Sequence, residues 1–200
     1  MKKLLALAMA LTLCLGLAAC GGDTTDATTD TTDDTAQTGE TVTLTVGATP
    51  APHQEILEQV DGSIHGFCSG IGTGGTITGI GETLKAANPD MEIWAVEPEH
   101  AAILSGGSIG SHLQMGIGDG VIPDILNQNI YQDIYIVKDE EAIRTAQELA
   151  SKEGIMCGIS SGTNVAAAIQ LAKKLGEGKT VVTVLPDTAE RYFSTPLFEE

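Results

Sequence analysis

The chain has 200 residues, of which 42% are hydrophobic, and a net charge of −17. This length and composition exclude a wholly disordered chain and suffice for one domain with a buried core. The excess of 27 acidic over 10 basic residues excludes a function that depends on binding nucleic-acid phosphates. Residues 21–61 hold nine acidic residues and no Lys or Arg, whereas residues 62–200 hold eighteen acidic and eight basic residues. An acidic N-terminal stretch therefore precedes a body of ordinary composition.

The four cysteines predict neither a disulfide framework nor a metal site. Cys14, Cys20, Cys68 and Cys157 form no Cys-x-x-Cys pair, and they belong to no zinc-binding signature. Cys68 and Cys157 lie in apolar stretches, where a thiol is typically packed in the core. We therefore expect no metal centre and no cysteine nucleophile.

The first 20 residues have the pattern of a bacterial export signal. Lys2 and Lys3 precede an apolar run, Leu4 to Leu17, that is too short to span a bilayer comfortably. The run continues into Leu-Ala-Ala-Cys-Gly, which resembles the lipobox of bacterial lipoproteins. The resemblance implies that Cys20 is lipidated and anchors the chain on the extracytoplasmic side of the cell membrane. A plain signal peptide with a chance cysteine is the alternative.

Residues 21–40 form an acidic linker rich in Thr and Asp. They show no apolar periodicity, so burial cannot offset the entropy that ordering would cost, and we expect the linker to be disordered. A calcium-binding loop is the alternative, although the glycine and the closing glutamate of an EF-hand are absent.

Residues 41–58 predict a strand followed by a turn. Thr41 to Gly47 alternate in polarity as strand residues do. The stretch then continues the pattern VGATP-x-PH-x-EIL, which, placed after a lipobox, resembles the start of the methionine-binding lipoproteins of ABC importers. This resemblance implies a membrane-anchored amino-acid-binding lipoprotein as an alternative function, and it ends at about residue 58.

After residue 61 the pattern becomes strand, glycine loop, helix and strand. Ile64 to Cys68 is mostly apolar, apolar residues recur at helical spacing from Ile77 to about Ala87, and Met91 to Val96 is a second apolar run. Asn-Pro separates the helix from the second run. Such a βαβ unit requires the two strands to be parallel.

The loop from Ser69 to Thr76 predicts an anion site. Its glycines let the backbone approach an anion, and the N–H groups that open the helix point at it. On spacing alone, Gly70-x-Gly72-x-x-Gly75 matches the dinucleotide fingerprint, with Glu97 placed as a ribose ligand. A glycine turn without any ligand is the other alternative. The loop alone leaves the kind of phosphate open.

The rest of the body alternates strands and helices. The predicted elements are a strand at Ile130–Val137, a helix capped by residues 139–141 and ended by Gly154, a strand at Ile155–Ile159, a turn at Ser160–Gly162, a helix at Val165–Leu175 and a strand at Thr180–Leu185. This alternation predicts an α/β fold with a doubly wound parallel sheet.

Five motifs in the body stand in the order and at the separations of one family. They read DGSIHGFCSGIGTGGTITGIGETLK, VEPEHAAILSGG, GIGDGVIP, GISSG and LPDTAERYFSTPLFEE. From about residue 59 to the end, the chain therefore resembles the C-terminal half of cysteine synthase (O-acetylserine sulfhydrylase), a fold type II enzyme dependent on pyridoxal 5'-phosphate. Cystathionine β-synthase shares the GTGGT loop, but the STPLFEE ending favours cysteine synthase.

The resemblance implies a reaction, a cofactor and an assembly. The reaction is β-replacement, which turns O-acetylserine and sulfide into cysteine and acetate. The implied fold is a partial doubly wound parallel sheet, the cofactor is pyridoxal phosphate, and the substrate is a small amino acid. Full-length members are cytoplasmic homodimers, and the sequence leaves the assembly of this chain open.

The resemblance also assigns cofactor ligands. By position, the phosphate ligands would be Gly72, Thr73, Gly74, Gly75 and Thr76. Ser160, the first serine of GISSG, would hydrogen-bond the pyridine nitrogen, and residues 116–120 would lie near the substrate. The chain departs from the family at Asp119, where Ala is usual, and at Thr188-Ala189, where Ser-Gly is usual.

The Schiff-base lysine of the family has no counterpart in the chain. The family carries it in an NP-x-x-S-x-K-D-R segment upstream of the glycine loop and holds the substrate carboxylate with a TSGNTG-type loop, and neither string occurs here. The lysines of the body lie in polar stretches that are typical of solvated side chains. We therefore assign no catalytic residue and expect little activity from this chain alone, with the cofactor held non-covalently at best.

Two unrelated patterns meet near residues 55–60, where EILEQ-x-DG could belong to either. Our hypothesis is a fusion, natural or produced by assembly of sequence data. Its divisions are a signal peptide at 1–20, a linker at 21–40, a lipoprotein-like strand and turn at 41–58 and an enzyme-like half at 59–200. A non-functional fusion remnant is a third alternative for the function.

Overall fold

A computed structural model describes the backbone of residues 44–47 and the whole of residues 63–198. The predicted signal peptide, the linker and Cys20 lie outside these residues. In the described part, no helix is long and apolar enough to cross a membrane.

The described residues form a five-stranded parallel sheet. The elements in chain order are β1 (Leu44–Gly47), β2 (Gly66–Gly70), α1 (Gly75–Ala87), β3 (Glu92–Pro98), β4 (Asp133–Val137), α2 (Asp139–Glu153), α3 (Ile159–Leu175) and β5 (Val181–Val184). The α-helices lie in the connections from β2 to β3 and from β4 to β5. The strand order is β1-β5-β2-β3-β4, and every pair is parallel. The predicted α/β fold with a parallel sheet is therefore confirmed.

The first strand belongs to this sheet. β1 pairs with β5 from Leu44↔Val181 to Gly47↔Val184. It comes from the stretch whose sequence resembles a lipoprotein start, and it covers an edge of β5 that would otherwise carry unpaired backbone groups. The remainder of the stretch 41–58 lies outside the described residues, so the resemblance itself stays a prediction.

The two faces of the sheet carry separate cores, because side chains alternate along each strand. On β2, Cys68 packs with α2 and α3, whereas Phe67 packs with α1 on the opposite face. On β3, Trp94 and Val96 join the first core, and Ile93 joins the second. Helices therefore cover both faces, as a doubly wound sheet requires.

Two boundaries differ from the prediction around α3. Residues 155–159 are not a strand, because their one bridge is Cys157↔Thr188. Helix α3 begins at Ile159 rather than at Val165, so the predicted turn at Ser160–Gly162 is its first turn. The residues of this turn are poor helix formers, and their burial, with Gly162 packed against α2, overrides that local preference.

The N-terminus of α2 also differs from the prediction that residues 139–141 cap this helix. Its N-cap is Lys138, and the acidic residues 139–141 occupy the first turn, where their charge favours the helix dipole. The Asp139 carboxylate accepts hydrogen bonds from Leu113 N at 2.8 Å and from Gln114 Nε2 at 2.9 Å. It therefore holds the loop before β4 rather than capping the helix.

We predict that Lys174→Ala weakens the packing of α3 against the start of β3. Lys174 Nζ lies 2.5 Å from Glu92 Oε1 and 5.0 Å from the centre of the Trp94 ring. We expect the free energy of unfolding to fall by about 1 kcal/mol at pH 7, measured by urea denaturation. Lys173→Ala is the matched control, since Lys173 has no carboxylate partner among the described residues.

The effect of Lys174→Ala should depend on pH. The hydrogen bond from Lys174 lowers the pKa of Glu92 below its ordinary value of 4.5. A lowered carboxyl pKa stabilises the folded state above the ordinary value, and this stabilisation is lost as the pH falls through the lowered pKa. The difference between Lys174→Ala and the unaltered chain should therefore shrink at pH 3, and an equal difference at pH 3 and pH 7 would contradict this explanation.

Candidate cofactor site

A cavity of about 540 Å³ lies at the carboxyl ends of β2 and β5. Its lining comes from four parts of the chain: the glycine loop after β2, the turn at residues 115–117, the first turns of α3 and the segment after β5. Ligand sites of open α/β sheets lie at the carboxyl ends of the strands. The position of the cavity is therefore that of a ligand site in this class of fold.

The glycine loop presents backbone N–H groups to this cavity. Gly72, Thr73 and Gly74 line it, and their N–H groups have no acceptor within the part of the chain that the structure describes. Gly74 has φ +81° and is the N-cap of α1. Free amides at a helix N-terminus form an anion site. The loop can therefore hold a phosphate group.

The glycine at position 72 is required by a close approach of two backbone segments. A Cβ atom on Gly72 would lie 2.4 Å from the carbonyl oxygen of Gly116. No side chain larger than hydrogen fits between the loop and the turn at residues 115–117. The two walls of the cavity therefore meet at this point.

The opening turn of α3 supplies a buried hydroxyl to the cavity. Ser160 lines it and is 3% exposed. Its neighbour Ser161 donates to Asp187 Oδ1 at 3.3 Å, and the Tyr192 hydroxyl donates to Asp187 Oδ2. Burial, followed by the bond to Asp187, raises the pKa of Tyr192, so its phenol stays protonated. These contacts hold the segment after β5 against the start of α3.

The structure brings most of the predicted cofactor ligands to one cavity. Those that line it are Gly72, Thr73, Gly74, Thr76 and Ser160. Gly75 is the first residue of α1 and is not among the lining residues. Of the predicted substrate loop at residues 116–120, Gly116 and Ile117 line the cavity.

Glu97 does not have the role that a dinucleotide site would require. It is 3% exposed, and its carboxylate accepts from Leu104 N at 2.5 Å and from Ser105 Oγ at 3.1 Å. It organises the loop after β3 and is not among the residues that line the cavity. The Glu97 carboxylate is therefore not free to bind a ribose, and the NAD interpretation of the Gly-x-Gly-x-x-Gly spacing has no support from this residue.

Sequence reasoning missed four lining residues with polar side chains: Asn164, Asp187, Arg191 and Tyr192. Arg191 is the one cationic side chain among the described residues that line the cavity. Asn164 recurs one helical turn after Ser160, which is the sequence signal that could have identified it. The other three lie within the motif LPDTAERYFSTPLFEE and show no local pattern of their own.

We predict that the two thiols of the body resist alkylation in the folded chain. Cys68 and Cys157 are buried and free. Burial raises the pKa of Cys68 to about 12 and that of Cys157 to about 11, where the charge of Asp187 adds to burial. Since the thiolate is the reactive form, iodoacetamide at pH 8 should leave both unmodified in peptide mass spectra and modify both in urea. Rapid modification of either thiol without urea would contradict this.

Comparison with known proteins places the chain in a family. Residues 36–187 match the family model described as pyridoxal-phosphate dependent enzyme. The chain belongs to this family, and the family's cofactor, pyridoxal phosphate, is the one that the sequence predicted.

The similarity within the family is to cysteine synthase. The chain is 49% identical over 157 residues to cysteine synthase of Staphylococcus aureus, which covers 76% of this chain and 51% of the relative. The crystal structure of cysteine synthase from Entamoeba histolytica has a TM-score of 0.71 and 40% identity over 74% of this chain and 44% of that chain. An O-acetylserine dependent cystathionine β-synthase from Helicobacter pylori has a TM-score of 0.69 and 36% identity over 73% of this chain and 47% of that chain. The body is therefore a cysteine synthase-like domain, and the chain spans about half the length of the relatives it matches.

Proposed function

We propose that the body is the cofactor-phosphate-binding half of a cysteine synthase-like enzyme. It binds pyridoxal phosphate without a covalent bond and does not by itself convert O-acetylserine and sulfide into cysteine and acetate. The observation that carries the proposal is the cavity lined both by the loop at residues 72–74, whose N–H groups have no acceptor among the described residues, and by the buried Ser160.

The chemistry of the lining fits the two ends of the cofactor. The loop amides, with the hydroxyls of Thr73 and Thr76, suit a phosphate group, and Arg191 adds a positive charge to the lining. The Ser160 hydroxyl can donate to the pyridine nitrogen. When bound, the cofactor withdraws electrons from an attached amino acid. A neutral hydroxyl partner does not protonate the ring nitrogen, and this moderates the withdrawal, as β-replacement requires.

We propose a lack of turnover because the cavity has no lysine amine to bind the cofactor covalently among the described residues. Covalent attachment of this cofactor requires a lysine whose amine is close to the cofactor and activated by its surroundings. No lysine lines the cavity among the residues that the structure describes. The chain's own residues therefore bind and orient the cofactor, and none of the described residues in the lining has the reactivity of the family's lysine.

The test is binding followed by a search for covalent attachment. The full chain, carrying Cys20→Ala to prevent lipidation, is titrated with pyridoxine 5'-phosphate, which lacks the aldehyde and cannot react with surface lysines. We expect saturable binding at one site per chain. After incubation with pyridoxal phosphate and reduction with borohydride, we expect no single lysine peptide to be fully modified and no cysteine to form from O-acetylserine and sulfide.

Each result decides one part of the proposal. Absence of saturable binding would overturn the cofactor site. Full modification of one lysine together with cysteine formation would overturn the lack of turnover. Titration with methionine tests the importer-lipoprotein alternative, and saturable methionine binding without phosphate-ester binding would favour it over the enzyme-like function.

We also propose that the chain is exported and anchored through Cys20, and that residues 1–20, 21–40, 41–58 and 59–200 are its divisions. The basis is the lipobox-like pattern and the acidic linker that follows it. Mass spectrometry of the chain from bacterial membranes should show a diacylglyceryl group on Cys20, with Cys20→Ala as the unlipidated control. An amplicon from genomic DNA that crosses codons 50–65 tests whether the fusion is natural.

A further inference from the structure

Asn164 bridges two strands at the point where they stop pairing. Backbone pairing between β2 and β5 runs from Gly66↔Val181 to Cys68↔Thr183 and does not continue to the ends of the strands. Beyond it, Gly70 N donates to Asn164 Oδ1 at 2.7 Å, and Asn164 Nδ2 donates to Val184 O at 2.7 Å. The side-chain amide therefore replaces the missing link between the two strand ends.

The bridge is well defined because both functions of the amide are used. Asn164 is 3% exposed, and an amide offers both the acceptor that the Gly70 N–H needs and the donor that the Val184 carbonyl needs. A buried backbone group without a partner is costly, so the amide has one favourable orientation. Asn164 thereby holds Gly70 and Val184 together beyond the last paired residues of the two strands.

The position of this bridge relates it to the cavity. Gly70 is the last residue of β2, and the glycine loop begins directly after it. Ser160 precedes Asn164 by one helical turn on α3, and both residues line the cavity. Asn164 therefore bonds to the residue that precedes the glycine loop, and it lies on the same helix as Ser160, the proposed partner of the pyridine nitrogen.

We infer that Asn164 is a positioning residue that sets the spacing between the glycine loop and Ser160, so that one ligand can reach both. This inference rests on the proposed cofactor site. A ligand that spans both walls depends on their spacing, whereas an anion in the loop does not. Loss of the bridge should therefore weaken a phosphate ester of the pyridine ring more than inorganic phosphate.

Three variants of the full chain test the inference. Asn164→Leu removes both hydrogen bonds, and Asn164→Asp retains an acceptor for Gly70 but removes the donor to Val184. Thr183→Val is the matched control, because Thr183 Oγ1 donates to Cys68 O at 2.7 Å and so links the same two strands. Thr183 is buried and does not line the cavity.

The measurements are dissociation constants for pyridoxine 5'-phosphate and inorganic phosphate, with unfolding followed in parallel. We expect both Asn164 variants to bind pyridoxine 5'-phosphate about tenfold more weakly. For Asn164→Leu, which adds no charge, we expect the affinity for inorganic phosphate to fall less than about threefold, and we expect Thr183→Val to alter the ratio of the two constants by less than about twofold. Equal weakening of both ligands, or the same pattern in Thr183→Val, would show a merely structural role and overturn the inference.

A second readout separates this inference from the proposed function. Hydrogen exchange at the Gly70 N–H should be faster in Asn164→Leu than in the unaltered chain and unchanged in Thr183→Val. If the unaltered chain binds no pyridoxine 5'-phosphate, the proposed function fails, and exchange then tests the part of the inference that needs no ligand, namely that Asn164 fixes the end of β2. Unchanged exchange at Gly70 in Asn164→Leu would then overturn it.

Discussion

Replacing Gly72 by Ala should reduce the affinity for pyridoxine 5'-phosphate at least about a hundredfold. The new Cβ would lie 2.4 Å from the Gly116 carbonyl oxygen, which belongs to the backbone and cannot rotate away as a side chain could. The loop and the turn at residues 115–117 must then separate. The amides that hold the phosphate move with the loop, and amide–anion bonds weaken steeply when their direction changes. Titration of the purified full chain measures the loss.

Gly75→Ala is the matched comparison for Gly72→Ala. Gly75 is the first residue of α1, and a Cβ there would meet only Thr73 Oγ1, at 3.6 Å, which is an ordinary contact. The amide directions are kept, so we expect a loss below about threefold, from the added bulk alone. Similar losses in the two variants would show that the close approach of Gly72 and Gly116 does not shape the site.

Replacing Gly162 by Ala should destabilise the whole body by about 3 kcal/mol or more. A Cβ on Gly162 would lie 2.0 Å from the Ala142 carbonyl oxygen and 2.9 Å from Ala146 N, both in the backbone of α2. The two helices pack this closely because no side chain separates them. The variant must push α3 away from α2, and the core on that face of the sheet opens with it. Urea denaturation followed by circular dichroism measures the loss.

The control for Gly162→Ala is Gly75→Ala, which also replaces a glycine within a helix. Gly75→Ala introduces the same methyl group without a close backbone neighbour, and Ala is the better helix former. Its free energy of unfolding should stay within about 0.5 kcal/mol of the unaltered value, or rise by up to about 1 kcal/mol. If Gly162→Ala lowers the free energy of unfolding only slightly, α2 and α3 can move apart with little energetic cost, which would contradict the prediction.

Fold and site are coupled in this chain through helix α3. Its first turn carries Ser160 to the cavity, its next turn carries the Asn164 bridge, and Gly162 between them allows the close packing on α2. Gly162→Ala and the Asn164 variants therefore act on the same element through different contacts. Gly162→Ala should lower the free energy of unfolding more. The Asn164 variants should have the larger effect on the ratio of the affinities for pyridoxine 5'-phosphate and inorganic phosphate.

The glycine loop after β2 could be predicted because its signal is local. Consecutive glycines between an apolar strand and an amphipathic helix are visible in the sequence, and the helix ends at Ala87, directly before the Asn-Pro pair, as that pair indicates. The parallel sheet follows from the same alternation, since strands joined by helices must run in one direction. These features depend on neighbours in the chain and need no knowledge of distant contacts.

The start of α3 could not be predicted in the same way. Ser160, Ser161 and Gly162 have the composition of a turn, and the apolar residues at 155–159 have that of a strand. In the structure, residues 160–162 are helical. The close packing of Gly162 on α2 and the hydrogen bonds from Ser161 to Asp187 outweigh the low helix propensity of these residues. Both partners lie elsewhere in the sequence, so no local pattern reports them.

The sequence by itself determined the parallel α/β class, the glycine loop between β2 and α1, and the likeness to cysteine synthase, because each is carried by consecutive residues in recognisable order. Only the tertiary structure decided that Asn164, Asp187, Arg191 and Tyr192 join the loop around one cavity, and that β1 pairs with β5. The physical reason is that parallel strands bring their carboxyl ends to one edge. Residues far apart in the chain become neighbours there, and the spacing between them is set by packing and hydrogen bonds that a linear pattern does not contain.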